Sequence, residues 1–195
     1  MKRTLILAGS CCALFLATAA HAAEKRGFYV DVGLGFGRAH YGGQLDDLLD
    51  AVDDNGYSRL TLALDLSMGG AVLPNLYVVG SVAAFGDRLT NSDDTGDYLQ
   101  LNTYLFGPGV RYYPLPSHKH LMLGVDVGLT KVVLQSDDDS YEASDSGSGL
   151  RLLVAYDIDR TLRGPTLQVG AQFMTASVED VKFRGLSVFA KFAFK

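Results

Sequence analysis

Eight stretches of this sequence alternate apolar and other residues with period two, and the connections between them alternate between short and long. Successive strand side chains point to opposite faces, so each stretch reads as a strand with an apolar row, less cleanly in the third and fourth than in the others. Residues 27–37 place Phe28, Val30, Val32, Leu34 and Phe36 in one row. Residues 58–72 do so with Leu60, Leu62, Leu64, Leu66 and Met68, and 120–134 with Leu121, Leu123, Val125, Val127 and Leu129. Residues 148–159 carry Leu150, Leu152, Val154, Tyr156 and Ile158, and 162–175 carry Leu167, Val169, Ala171 and Phe173. Stretches 75–87, 98–113 and 185–195 complete the set. Gly107-Pro108-Gly109 predicts a bulge, because proline has no N–H to give to a ladder.

The connections near 73–75, 114–116 and 159–161 are short, whereas 40–57, 88–97, 135–147 and 176–183 are longer. Short turns therefore gather at one end and long loops at the other, as in an outer-membrane β-barrel with an even strand number. A soluble lipocalin-like barrel would alternate equally well, with its apolar row inward. The second row separates the two readings. It holds Tyr29, Asp31, Gly33, Gly35 and Gly37 on the first strand, and Arg59, Thr61, Ala63, Asp65 and Ser67 on the second. Later strands repeat the theme with Gly124, Asp126 and Gly128, and with Arg151, Ala155 and Asp157. Glycine weakens a water-facing strand row. A cramped eight-stranded interior needs small residues among a few charges that pair across it. The apolar row therefore faces lipid, and closure pairs the last strand with the first so that no edge is left in hydrocarbon.

The N-terminus carries Lys2 and Arg3, an apolar stretch over 5–20, and Ala20-His21-Ala22, the form of a signal-peptidase site. The expectation is a signal peptide over 1–22 and a single barrel domain over 23–195. Cys11 and Cys12 both lie in the signal, so the exported domain has no disulfide. It keeps 15 of the 17 basic residues against 22 acidic ones, a net charge of −7 with no basic cluster, which argues against nucleic acid. Trp is absent, so an aromatic girdle must come from Tyr29, Phe36, Tyr77, Phe85, Tyr112, Phe192 and Phe194, some of which can equally fill the interior.

The stretch GFYVDVGLGFG, the segment FGPGVRYYP and a last strand closing on FAF resemble the small outer-membrane β-barrel proteins. That group includes the OmpA transmembrane domain, the OmpX/Ail proteins and the opacity-type surface proteins. The resemblance implies an all-β, eight-stranded antiparallel up-and-down transmembrane barrel in the outer membrane of a Gram-negative bacterium. Its role would be structural or surface-interacting, amid outer-membrane lipid and lipopolysaccharide. It also implies that the last strand is read by the barrel-assembly machinery, through Leu186, Val188, Ala190, Phe192 and Phe194. Lys195 departs from the pattern by following the terminal aromatic.

A filled lumen excludes a general porin. Asp31, Arg59, Asp65, Asp126, Arg151, Asp157 and Lys191 are expected to form an interior polar network, with a narrow ion path as the alternative. The long connections hold 15 of the 22 carboxylates, among them Asp46, Asp47, Asp93, Asp137 and Glu179. They read as a solvated rim, or as a surface for divalent cations or a cationic partner. Leu45, Leu48, Leu49 and Val52 suit a short amphipathic helix in the first of them. No catalytic set, cofactor site or metal site emerges. The rival readings are a lipid A-modifying enzyme, for which His40 is the single histidine at the long-loop end, and a soluble ligand-binding barrel.

Overall fold

A computed structural model describes residues 27–43, 58–90, 98–114, 120–136, 141–143, 146–158 and 165–195. Its strands are β1 (Phe28–Gly42), β2 (Ser58–Leu73), β3 (Leu76–Thr90), β4 (Tyr98–Tyr112), β5 (Leu121–Ser136), β6 (Tyr141–Ala143), β7 (Gly147–Asp157), β8 (Pro165–Val178) and β9 (Val181–Phe194). Eight of them close into one antiparallel barrel in the ring order β4-β3-β2-β1-β9-β8-β7-β5, with β4 pairing back to β5. Short β6 pairs only with the far end of β5, from Val133↔Ala143 to Gln135↔Tyr141.

Closure is made by β1 against β9, in register from Val30↔Phe194 to Gly42↔Lys182. A closed ring satisfies each strand's backbone on both sides, the condition for standing in hydrocarbon. The alternation sorts as the sequence predicts. Leu129 and Val188 are 65% exposed, and Phe36, Leu64, Phe192 and Val125 share the same outward surface. The intervening row is buried: Tyr29, Asp31, Ala63, Asp65, Phe85, Arg151 and Lys191 all point into the lumen. Of the proposed girdle residues, Tyr29 and Phe85 are interior fillers, while Phe36, Tyr112, Phe192 and Phe194 face outward.

Three details differ from the sequence reading. No bulge forms at Gly107-Pro108-Gly109, since β4 keeps one register with β3 through Gly80↔Pro108 and one register with β5 on either side of that site. Proline's missing donor removes Gly107 and Pro108 from the β5 pairing without inserting a residue. The irregularity lies instead at Ala71/Leu73, next to the Pro74–Asn75 turn. Secondly, the long connection expected over 176–183 is a tight turn at Glu179-Asp180, because β8 and β9 pair as far as Val178↔Val181. Glu179 takes φ 50° there, a left-handed value suited to a two-residue hairpin. Thirdly, β1, β3 and β5 run three to five, three and two residues further into the long-loop end than alternation suggests, ending at Gly42, Thr90 and Ser136. The expected signal peptide, the amphipathic segment and most loop carboxylates lie outside the described residues.

Candidate functional site

The inner half of the lumen, on the short-turn side, holds a chain of alternating charges. Arg111 on β4 donates to Asp126 on β5 at 2.5 and 3.2 Å. Asp126 also accepts from Arg151 Nε on β7 at 2.6 Å. Arg151 reaches Asp65 on β2 at 3.0 Å. Lys191 on β9 then bridges Asp65 at 3.3 Å and Asp31 on β1 at 3.1 Å. Tyr29 Oη closes the series by donating to Asp31 at 2.6 Å. Three carboxylates thus meet three cations, so the series is charge-balanced, and it ties six of the eight barrel strands together. Gln172 on β8 joins by accepting from Arg151 at 3.3 Å and donating to Ser187 at 3.0 Å. All six ionic groups are buried. Removing such groups from water costs several kcal/mol each, so they persist only because every one has an opposite partner.

Glycines make room for this network. Asp126 lies opposite Gly109, where a Cβ would fall 1.7 Å from the Asp126 carboxylate. Gly33 sits between Asp65 and Lys191 in register, and a Cβ there would stand 2.7 Å from Lys191 Cβ. Small residues in the inward row are therefore the sequence's allowance for long charged side chains on the neighbouring strands.

Two smaller clusters flank the series. At the inner mouth Gln168 donates to Asp157 at 2.6 Å and to Tyr113 Oη at 3.0 Å. Lys195 bridges Asp157 and lies over the Tyr113 ring, 4.2 Å from its centroid. Towards the long-loop end Arg59 grips Asp87 with Nε at 2.8 Å and Nη2 at 2.5 Å, while Thr61 donates to the same carboxylate at 2.8 Å. Around that pair the outer lumen is packed with apolar side chains. Phe85, Phe183, Tyr41, Leu89, Leu101, Leu105 and Met174 are all buried there, and Phe183 lies 5.4 Å from Phe85 and 5.3 Å from Tyr41 by ring centroids. The inward side chains of both halves are thus almost wholly buried against one another.

Of the polar residues singled out from sequence, Asp31, Asp65, Asp126, Arg151 and Lys191 come together, Asp157 sits apart at the inner mouth, and Arg59 sits apart towards the outer one. Arg111, Asp87, Gln168 and Gln172 were missed. Their signal was parity: Arg111 shares a row with Gly107 and Gly109, and Asp87 shares one with Ala83 and Phe85. Leu186, Val188, Ala190, Phe192 and Phe194 form the outward row of β9. His40 is outward and exposed, opposite Arg184. Among the described residues no group of histidine, cysteine and carboxylate side chains is arranged to hold a metal ion.

Residues 8–194 match the family described as outer membrane protein beta-barrel domain. The Ail attachment invasion locus protein of Yersinia pestis is similar in structure, at 14% identity and a TM-score of 0.50 over 86% of this chain and 99% of that one. Ail is also known in complex with the heparin analogue sucrose octasulfate. Neisserial surface protein A is similar too, at 18% identity and a TM-score of 0.53 over 86% of this chain and 96% of that one. At these identities the likeness is one of fold. No curated protein is significantly similar in sequence.

Proposed function

This chain belongs to the outer membrane protein β-barrel domain family, and we propose that its work is done at the cell surface, by its loop end, with the barrel as a sealed support. The observation that carries the reading is the lumen: an apolar plug in the outer half above a charge-balanced network in the inner half. Such an interior supports no solute path and leaves the long loops as the exposed chemistry. Those loops are rich in carboxylates, which suits divalent cations or a cationic partner amid lipopolysaccharide. The Ail complex supports ligand binding by a barrel of this fold, although a polyanion such as sucrose octasulfate is not what acidic loops favour. The role is non-enzymatic in this reading, since His40 has Arg184 rather than a nucleophile across from it.

Planar-bilayer recording on the refolded protein tests the sealed support. A flat current is expected, and a stable conductance would overturn it. The chain reaches the membrane through a signal peptide over 1–22, and the outward row of β9 serves as the segment read by the assembly machinery. Joint replacement of Phe192 and Phe194 by Ala is then expected to lower the heat-modifiable, membrane-inserted fraction severalfold. Normal insertion of that variant would end the assembly reading.

A further inference from the structure

The inner mouth holds an ammonium group in a setting unlike that of the central network. Lys195 lies past the ladder, since pairing stops at Val30↔Phe194 and Pro165↔Phe194. Its side chain turns into the mouth, where Nζ donates to Asp157 Oδ2 and stands 4.2 Å from the centroid of the Tyr113 ring. A carboxylate on one side and an aromatic face on another are the two partners that a desolvated ammonium favours.

Those two partners are fixed without help from Lys195. Gln168, fully buried on β8, donates from Nε2 to Asp157 Oδ1 at 2.6 Å and to Tyr113 Oη at 3.0 Å. One side chain thus sets both groups and leaves Asp157 Oδ2 for the ammonium. Their backbones are held as well. Tyr113 N–H donates to the Asn75 carbonyl at 2.9 Å, and Asp157 N–H to the His120 carbonyl at 2.7 Å. Tyr77 packs edge-on against Tyr113, with ring centroids 5.9 Å apart. Among the described residues Lys195 is the one cation paired with Asp157. Gln168 Oε1, also buried, has no hydrogen-bond partner among them, which leaves the cluster one acceptor in excess.

The Lys195 side chain is 19% exposed, against 0% for Lys191 in the central network. Beside it lies a cleft of about 20 Å³, lined by Pro74, Asn75, Tyr77, Tyr113 and Lys195. That volume takes a water molecule and no more, so a larger ligand fits only where the Lys195 stem now lies.

We propose that Asp157, Tyr113 and Gln168 form a binding site for an unbranched primary ammonium at the inner mouth, with Lys195 as its built-in occupant. Asp157 and Tyr113 make the contacts, and Gln168 is a positioning residue. The site is separate from whatever the loops receive, and it gives the sealed barrel a ligand site on its short-turn side.

The full chain carrying Lys195→Ala, refolded in detergent micelles with isotope-labelled tyrosine, tests this by titration with n-butylammonium, which copies the lysine stem. The Tyr113 ring signal, identified by its loss in Tyr113→Phe, is expected to shift saturably, with half-saturation on the order of 10 mM. Wild type is expected to show no saturable shift over the same range, because its site is filled. Asp157→Asn added to Lys195→Ala is expected to weaken binding about tenfold. Tetramethylammonium, which cannot donate to Oδ2, is expected to bind about tenfold more weakly than n-butylammonium. No saturable shift in Lys195→Ala would overturn the site, and an equal shift in wild type would overturn its occupation by Lys195. Equal binding of tetramethylammonium would overturn the ligand class. If Lys195→Ala does not fold, trace acetylation of wild type decides instead. Lys195 is expected to react severalfold more slowly than exposed Lys182, and to lose that protection in Asp157→Asn. Equal rates for the two lysines in wild type would end the proposal.

Discussion

The two halves of the lumen are filled by opposite chemistry. The outer half is closed by Phe85, Phe183, Tyr41 and Leu105, which exclude water without specific partners. The inner half is closed by Arg111, Asp126, Arg151, Asp65, Lys191 and Asp31, each of which has an obligatory one. Close packing tolerates exchange of one apolar shape for another of like volume. A buried ionic series does not tolerate loss of a member, since the remaining charge has neither water nor partner. The difference teaches that the plug seals and the network specifies. Only the network demands one register among six strands, whereas the plug needs volume alone.

The comparison is broken most sharply by Asp126→Asn. It keeps the shape but leaves Arg111 and Arg151 without their shared carboxylate, and is expected to cost about 3–5 kcal/mol. The readout is the urea midpoint of unfolding from vesicles. A loss below about 1 kcal/mol would mean that water or another group compensates the arginines. In the plug, Met174→Leu conserves volume and is expected to cost less than about 1.5 kcal/mol by the same measurement. If it matched Asp126→Asn, the two halves would not differ in kind. The smallest effect is expected at the inner mouth. Lys195→Ala removes the bridge to Asp157 from a half-open position, with an expected cost of less than about 1 kcal/mol. That difference is expected to shrink further in high salt. A larger, salt-independent loss would show that Lys195 belongs to the buried network after all.

Much of this was legible along the chain. Rows such as Leu60, Leu62, Leu64 against Thr61, Ala63, Asp65 are local facts, and the structure sorts them to lipid and lumen as the alternation implies. The pairing of β1 with β9 follows from the need to leave no edge. Other features were not legible. Strand ends failed where polar residues continue the strand past its apolar part, as at Arg38 to Gly42. The β8–β9 turn was hidden because Val178 and Val181 look no different from loop residues until their pairing is known. Along the chain Lys195 is only a residue that follows the terminal aromatic, yet its side chain belongs to the inward row with Lys191 and Ala193.

The sequence by itself determined the number of barrel strands, the face of most strand residues and the side of the barrel that carries the long loops, because period two and turn chemistry act within a few residues. Only the tertiary structure decided which charges meet. Asp126 finds Arg151 directly across β5 and β7, but Arg151 finds Asp65, and Lys191 finds both Asp65 and Asp31, by reaching through the lumen. Those meetings depend on how far each strand slides past its neighbour when the sheet closes. That slide is a property of the whole ring, and no single strand encodes it.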